Sequence, residues 1–426
     1  MKSNSRLLNA LCLLLGASLL LPSCLKDECE ATQTYIAFHP VYVQGENFRQ
    51  PVEAEPARTL SEPGKIYVYG DYLLINEKEK GIHIYNNANP AAPEPIVFLP
   101  IPGNVDMAVS NGLLYADSYV DLITIDISNP EAPQFIGRVE EALLKEGFGL
   151  QAEGYLVGYE ETEETVEVPC SERPDGSFWR GEVFFASSDD ALVLQESSSD
   201  QQQQQAGIGG SMARFTIAKG HLYVIDNAYL RVFELSNGSN PALANTLQVE
   251  WGIETIFPYG DNLFIGAANG MHIFDNSNPL QPQYLSVFRH ATACDPVYVD
   301  GDVAYVTLRD GQPCETFTNQ LDVVDVSVLT DPKLIRSFPM HNPHGLSKYE
   351  DALFICENTQ GVKVFDASNH ETVGQKMIAQ IDGFQAYDII TLKDKGLGLV
   401  IGANGFFQFD ITDPAEPVLI SNIIAQ

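Results

Sequence analysis

Basic residues are scarce in this 426-residue chain: 24 lysines and arginines stand against 57 aspartates and glutamates, for a formal charge of −33 and a pI near 4.4. A protein that neutralises phosphates or docks on anionic lipid needs a basic footprint, so this composition argues against nucleic-acid and electrostatic membrane binding. Zinc and thiol-redox chemistry also lack their signature, because none of the seven cysteines forms a Cys-x-x-Cys pair. No Gly-x-Ser-x-Gly elbow and no phosphate-binding glycine loop is present. Beyond residue 21 no apolar run approaches the ~20 residues of a membrane span. What remains is 45% hydrophobic sequence, enough for a core, cut into short pieces.

Those pieces repeat. The clearest copy is Gly270-Met-His-Ile-Phe-Asp-Asn-Ser-Asn-Pro279, and related stretches end at the anchors Tyr85, Asp126, Glu234, Asp275, Asp325, Asp366 and Asp410. Each is a β-branched or aromatic run with period-2 alternation that closes on a polar residue and an Asn/Asp-Pro-type turn, the pattern of a strand entering a tight turn. Upstream of every copy lies an aromatic-aliphatic strand such as Tyr72-Leu-Leu-Ile75 or Asn262-Leu-Phe-Ile265, and most of these follow a Gly/Asp/Asn/Lys turn and another alternating run. A fourth apolar stretch follows the proline, as in Pro133-Gln-Phe-Ile136. Four strands at a period of roughly 40–45 residues make one propeller blade. The reading is an all-β fold, a seven-bladed β-propeller of four-stranded antiparallel blades over residues 61–426.

The third strand of the unit, in Leu321-Asp-Val-Val-Asp325 and Leu122-Ile-Thr-Ile-Asp126, resembles the LVIVD repeat of bacterial β-propellers. The resemblance implies the fold and leaves the activity open. Only the interval from Asp126 to Glu234 breaks the period. It holds Glu160-Glu-Thr-Glu-Glu164 and the run Gln201 to Gln205, so we read residues 160–211 as a polar, partly low-complexity insertion in the third unit, ordered near Trp179, with an eighth degenerate blade as the competing reading.

At the start, Lys2 and Arg6 precede the apolar run Leu7 to Leu21 and then Leu21-Pro-Ser-Cys24. This order is that of a secretory signal peptide, residues 1–23. Its ending resembles a bacterial lipobox, which implies Cys24 as a lipidated first residue, followed by a tether over 24–60 that packs in part on the propeller. Lys26-Asp-Glu28 resembles a charged signal for the outer face of the outer membrane. In an oxidising compartment Cys294 and Cys314, near the two ends of one hairpin, are the disulfide candidate, while Cys356 lies inside an apolar strand and reads as core.

Candidate chemistry is confined to one ring. Aligning the inner strands places Asp106, Arg214, Glu254, Asp295, His344 and Asp388 near their starts, one per blade. Inner strands line a propeller's channel, so these residues can form a polar mouth able to hold a divalent cation or a small polar ligand; polar strand ends near solvent are the plainer explanation. His341-Asn-Pro-His344 is the most metal-like stretch, although Pro343 rules out a helical histidine pair. His83 and His272 read as ordinary strand histidines. No cofactor is implied and no catalytic residue stands out. The expectation is a lipid-anchored outer-membrane protein, displayed at the cell surface of a Gram-negative bacterium, whose propeller binds or scaffolds an extracellular protein or glycan; the alternative is an enzyme acting on a glycan or other polymer at the channel mouth.

Overall fold

The computed structural model describes residues 30–143, 150–169, 207–226, 228–290, 296–309 and 319–426. The chain divides into two compact units, Met1–Val41 with Gly158–Leu194, and Tyr42–Val157 with Gln195–Gln426. The first carries neighbouring stretches of two long strands, Glu30–Val43 and Gly154–Pro169, with His39 Nε2 2.9 Å from Glu164 Oε1. No helix among the described residues is long and apolar enough to cross a membrane.

The second unit is the propeller. Blade one consists of Pro63–Tyr69, Tyr72–Glu77, Gly81–Asn86 and Glu94–Pro100, counted from the inside outward. The next blades run from Met107–Ser110 to Gln134–Val139, from Phe215–Ala218 to Ala242–Gln248 and from Ile253–Tyr259 to Gln283–Arg289. The last three run from Val297–Asp300 to Lys333–Pro339, from Leu346–Tyr349 to Met377–Ile381 and from Asp388–Leu392 to Val418–Ile424. All seven are antiparallel, and each is built from one continuous stretch of chain.

Second and third strands are buried on both sides because a neighbouring blade covers each face. Leu73, Leu74 and Ile75 are all fully buried, as are Leu353, Phe354 and Ile355. The core is accordingly a chain of clusters. One joins blades one to three around Tyr115 and Phe233, and others join three to four, four to five, five to six and six to seven. The ring closes where Leu60, Ile66, Leu73 and Tyr85 pack with Leu397, Leu399 and Phe406. The C-terminal strand stays in its own sheet and meets blade one through side chains: Ile420 and Ile423 pack against the cluster that holds Ile66, Leu73 and Tyr85, and the Ser421 hydroxyl donates to the Pro90 carbonyl at 2.6 Å.

The repeated motif is explained atom by atom. Asp275 Oδ1 accepts the Ser277 amide at 2.7 Å, and Asn278 Oδ1 then accepts the Leu280 amide at 3.3 Å, so two successive Asx turns carry the third strand into the fourth. Asp126, Asp325, Asp366 and Asp410 make the first of these bonds in their blades. The leading glycine is forced by crowding: a Cβ on Gly81, Gly270 or Gly405 would lie 2.0, 2.4 or 2.1 Å from a carbonyl of the outer strand, and all three have positive φ. In blade one the anchor is Asn86, not Tyr85. Tyr72 pairs with Asn86 as Asn262 pairs with Asp275, and Asn86 Oδ1 accepts the Ala88 amide at 3.0 Å. Asparagine forms the same turn without the charge that drew attention to the other copies.

Segment 24–60, read as a tether, holds the strand Glu30–Val43, a single helical turn at Gly45–Phe48, and Glu55–Pro56, which pairs with the outer edge of blade one. Arg49 is fixed by Asp121, with Nε 2.9 Å from Oδ2, and its guanidinium lies 4.8 Å from the centre of the Tyr155 ring. Of the 160–211 insertion, residues 160–169 continue a strand, 207–211 belong to the channel described next, and the stretch around Trp179 and the glutamine run lies outside the described residues.

Candidate functional site

Strand register decides which residues form the channel mouth. Ile66 pairs with Ile75, Met107 with Ala116, Phe215 with Val224, and Ile389 with Val400, so Lys65, Asp106, Arg214 and Asp388 occupy one position in four blades. Glu254 and His344 stand one residue before it, where Thr255 and Gly345 fill the position. Lys65 was absent from the sequence-based ring. It precedes Ile66-Tyr-Val68 as Asp106 precedes Met107-Ala-Val109, and that parallel could have found it. Asp295 and Cys294 lie outside the described residues, as does Cys314, and so does Cys24.

The mouth is crossed by the chain itself. Gly207–Ala213, leading into blade three, runs over the inner strands of the other blades. The Gly207 amide donates to the Val109 carbonyl at 3.0 Å, and Ile208–Gly209 adds as a short antiparallel strand to Val68 and Tyr67. The Ser211 hydroxyl donates to Asp388 Oδ1 at 3.1 Å and accepts the Leu346 amide at 2.8 Å. Lys65 Nζ donates to the Met212 carbonyl at 2.6 Å, and the Ile256 amide to that of Ala213 at 2.9 Å. Lys65 also pairs with Asp106 at 2.9 Å, and Asp106 accepts the amides of Arg214 and Phe215. Five blades thus hold one seven-residue segment, mostly through its backbone.

Electrostatics follow from this enclosure. Burial pushes the Asp388 carboxyl up to about 6 against hydrogen bonds from the Ile389 amide, Ser211 and the Met212 amide. Asp117, which accepts the Val105 and Asp106 amides and the Asn104 side chain, is likewise raised by burial to about 6. Burial also raises Glu254, opposed by the nearby Arg309, Arg214 and Lys65. His344 has both ring nitrogens engaged, Nδ1 2.9 Å from Arg309 Nη1 and Nε2 2.9 Å from Asn342 Oδ1; burial first, and Arg309 second, lower it to about 3. Its partners hold it neutral and in place, and His341 donates its backbone amide to Glu357 instead of joining it. Among the described residues no group of three or more His, Cys, Asp or Glu is placed to hold a metal ion.

A second pattern on the same face escaped the sequence analysis. At the hairpin between second and third strands, Glu77 pairs with His83 at 2.7 Å, Glu357 with Lys363 at 3.4 Å, and Asp226 with Arg231. All six are buried or nearly so. Burial lowers the His83 imidazole below its ordinary value, so it meets Glu77 as a buried neutral hydrogen-bond partner rather than as an ordinary strand histidine. Burial alone would raise Glu77, but the Ser61 hydroxyl, His83 and Arg58 outweigh it and hold the carboxyl near 2. Cys356 is buried and free.

Comparison with known proteins fits this geometry. The LVIVD repeat family model matches residues 104–141 and 292–339, blades two and five. No curated protein matches the sequence. A putative 6-phosphogluconolactonase from Bacteroides fragilis NCTC 9343 is similar over 87% of this chain and 96% of its own, at 10% identity and a TM-score of 0.53. The computationally designed Ika8 protein is similar over 88% and 91%, at 9% identity and a TM-score of 0.50. A functionally unknown protein from Desulfotomaculum acetoxidans DSM 771 is similar over 85% and 95%, at 11% identity and a TM-score of 0.50. At such identities the likeness is one of fold.

Proposed function

We propose that this chain, a seven-bladed propeller carrying LVIVD repeats, is a lipid-anchored protein of the bacterial cell envelope that works as a binding or scaffold module for an extracellular partner. One observation carries the binding reading: the polar groups of the mouth converge on a peptide segment, Gly207–Ala213, and grip it through backbone amides and carbonyls. An enzyme acting at the mouth would present its carboxylates to substrate, whereas Asp106 and Asp388 accept from the chain's own amides and hydroxyl. The address rests on the charged, apolar, Leu-Pro-Ser-Cys24 order of the first residues and on the Lys26-Asp-Glu28 that follows. The acidic surface suits solubility rather than adhesion to phosphate.

Fatty-acid labelling of the full chain tests the anchor: label should enter the wild type and be lost in Cys24→Ala, with the variant moving to the soluble fraction. Protease added to intact cells should degrade the propeller, and its protection would overturn surface display. Turnover of a glycan by the purified chain, lost in Asp388→Asn, would replace the binding reading with the enzymatic one.

A further inference from the structure

The grip on Gly207–Ala213 has the features of a site filled by its own chain. The segment brings little apolar fastening: three of its seven residues are glycine, Ile208 is 51% exposed, and only Ser211 and Ala213 are buried. Its hold on the mouth is hydrogen bonding, which water can replace, rather than hydrophobic burial, which it cannot. The other side of the contact is costly to leave empty. With the segment gone, the Asp388 carboxylate, the Leu346 and Ile256 amides and the inner edge of Pro63–Tyr69 lose partners deep in the ring. Such a surface accepts another extended chain by strand addition, with backbone bonds giving affinity and side-chain clearance giving selectivity. Clearance is tight at two places. A Cβ on Gly207 would lie 2.3 Å from the Tyr67 ring and 2.5 Å from the Val68 carbonyl, and one on Gly210 would lie 1.9 Å from Asp388 Oδ2.

Resting on the binding-module reading, we infer that the mouth is a recognition site for an extended peptide with glycine at two positions three apart and a small hydroxyl residue next, and that Gly207–Ala213 is a releasable strap occupying it in cis. Because the strap is covalently attached, its effective concentration is in the ~mM range, so a free peptide competes poorly until the strap is displaced. The partner is then a protein segment of the pattern Gly-x-x-Gly-Ser rather than a glycan.

The test uses the full soluble chain, residues 25–426, and a fluorescein-labelled synthetic peptide of the seven residues 207–213. Gly210→Val drives the strap off Asp388 while leaving the ring's side chains unchanged. It should bind the peptide at least tenfold more tightly than the wild type, and a peptide with valine at its fourth position should not bind. A folded Gly210→Val that binds no better than the wild type overturns the strap, and the binding-module reading survives it provided the wild type still cross-links to a surface protein on cells; with no cross-link either, both fall. Should the variant not fold, amide hydrogen exchange of the wild type decides. The Gly207 and Met212 amides should exchange at least tenfold faster than those of Tyr223 and Ile265 in the middle strands, and equal protection shows a fixed structural element.

Discussion

On the face of the ring where the third strands end, Asp126, Asp275, Asp325, Asp366 and Asp410 sit at the surface and turn their own chain two residues on. On the face where the inner strands begin, Asp121, Asp226 and Asp388 are buried and hold segments from elsewhere in the sequence or cations across a hairpin. The same residue type serves a local duty on one face and a long-range duty on the other. Local duties repeat in six of the blades, at Asn86 and the five aspartates, because those blades share the same turn. Long-range duties do not repeat, because each answers to a different partner.

Substitutions on the two faces should therefore differ in cost. The largest effect is expected for Asp121→Ala. It strips the shared carboxylate from Arg49 and Arg138 and the acceptor from the Glu141 amide, leaving buried charge unpaired at a cost of about 3–5 kcal/mol in urea unfolding. Adding Arg49→Ala should cost much less than its single effect, since the two share one network.

Next comes Glu77→Gln, at about 3 kcal/mol, the worth of a carboxylate held from 4.5 down to about 2 by Ser61, His83 and Arg58. The wild-type group is held near 2, below its usual 4.5, so its contribution is complete above pH 4.5 and is lost as pH falls towards 2. The variant should lack that slope in thermal unfolding followed across pH.

Asp388→Asn tests the opposite sign. Its carboxyl titrates near 6 in the fold against 3.8 unfolded, so its contribution is complete below pH 3.8 and lost as pH rises through 6. At pH 7 the ionised group costs on the order of 3 kcal/mol, and the asparagine variant should show a flatter profile between pH 4 and about 6. A fall in wild-type stability between pH 6 and 4 that disappears in the variant would reverse this assignment.

The smallest effect belongs to the turn face. Asn278→Ala removes one surface hydrogen bond to the Leu280 amide and should cost about 0.5 kcal/mol. A cost equal to that of Glu77→Gln would erase the contrast between the faces.

Much of the frame was legible because it is written in local spacing. Period-2 runs, Asx turns and the leading glycines recur at fixed offsets, so blade number and strand order follow from chemistry within a few residues. Even the error at Tyr85 was one residue, made because Asn86 forms the turn without a charge. The mouth was half legible. Asp106, Arg214 and Asp388 were placed by alignment on the strand cores, and Lys65 was passed over although it precedes Ile66-Tyr-Val68 as Asp106 precedes Met107-Ala-Val109. The buried pairs Glu77–His83 and Glu357–Lys363 stayed hidden because alternate polar residues in a strand read as solvent-facing.

By itself, then, the amino-acid order determined an all-β chain of seven antiparallel units, its acidic character, and the residues Asp106, Arg214 and Asp388 that begin three of the inner strands, since all of these depend on composition or near neighbours. Only the tertiary structure decided that the mouth is crossed by Gly207–Ala213 and that Asp388 meets Ser211. Those two residues stand 177 positions apart, and only the closed ring brings them within a hydrogen bond.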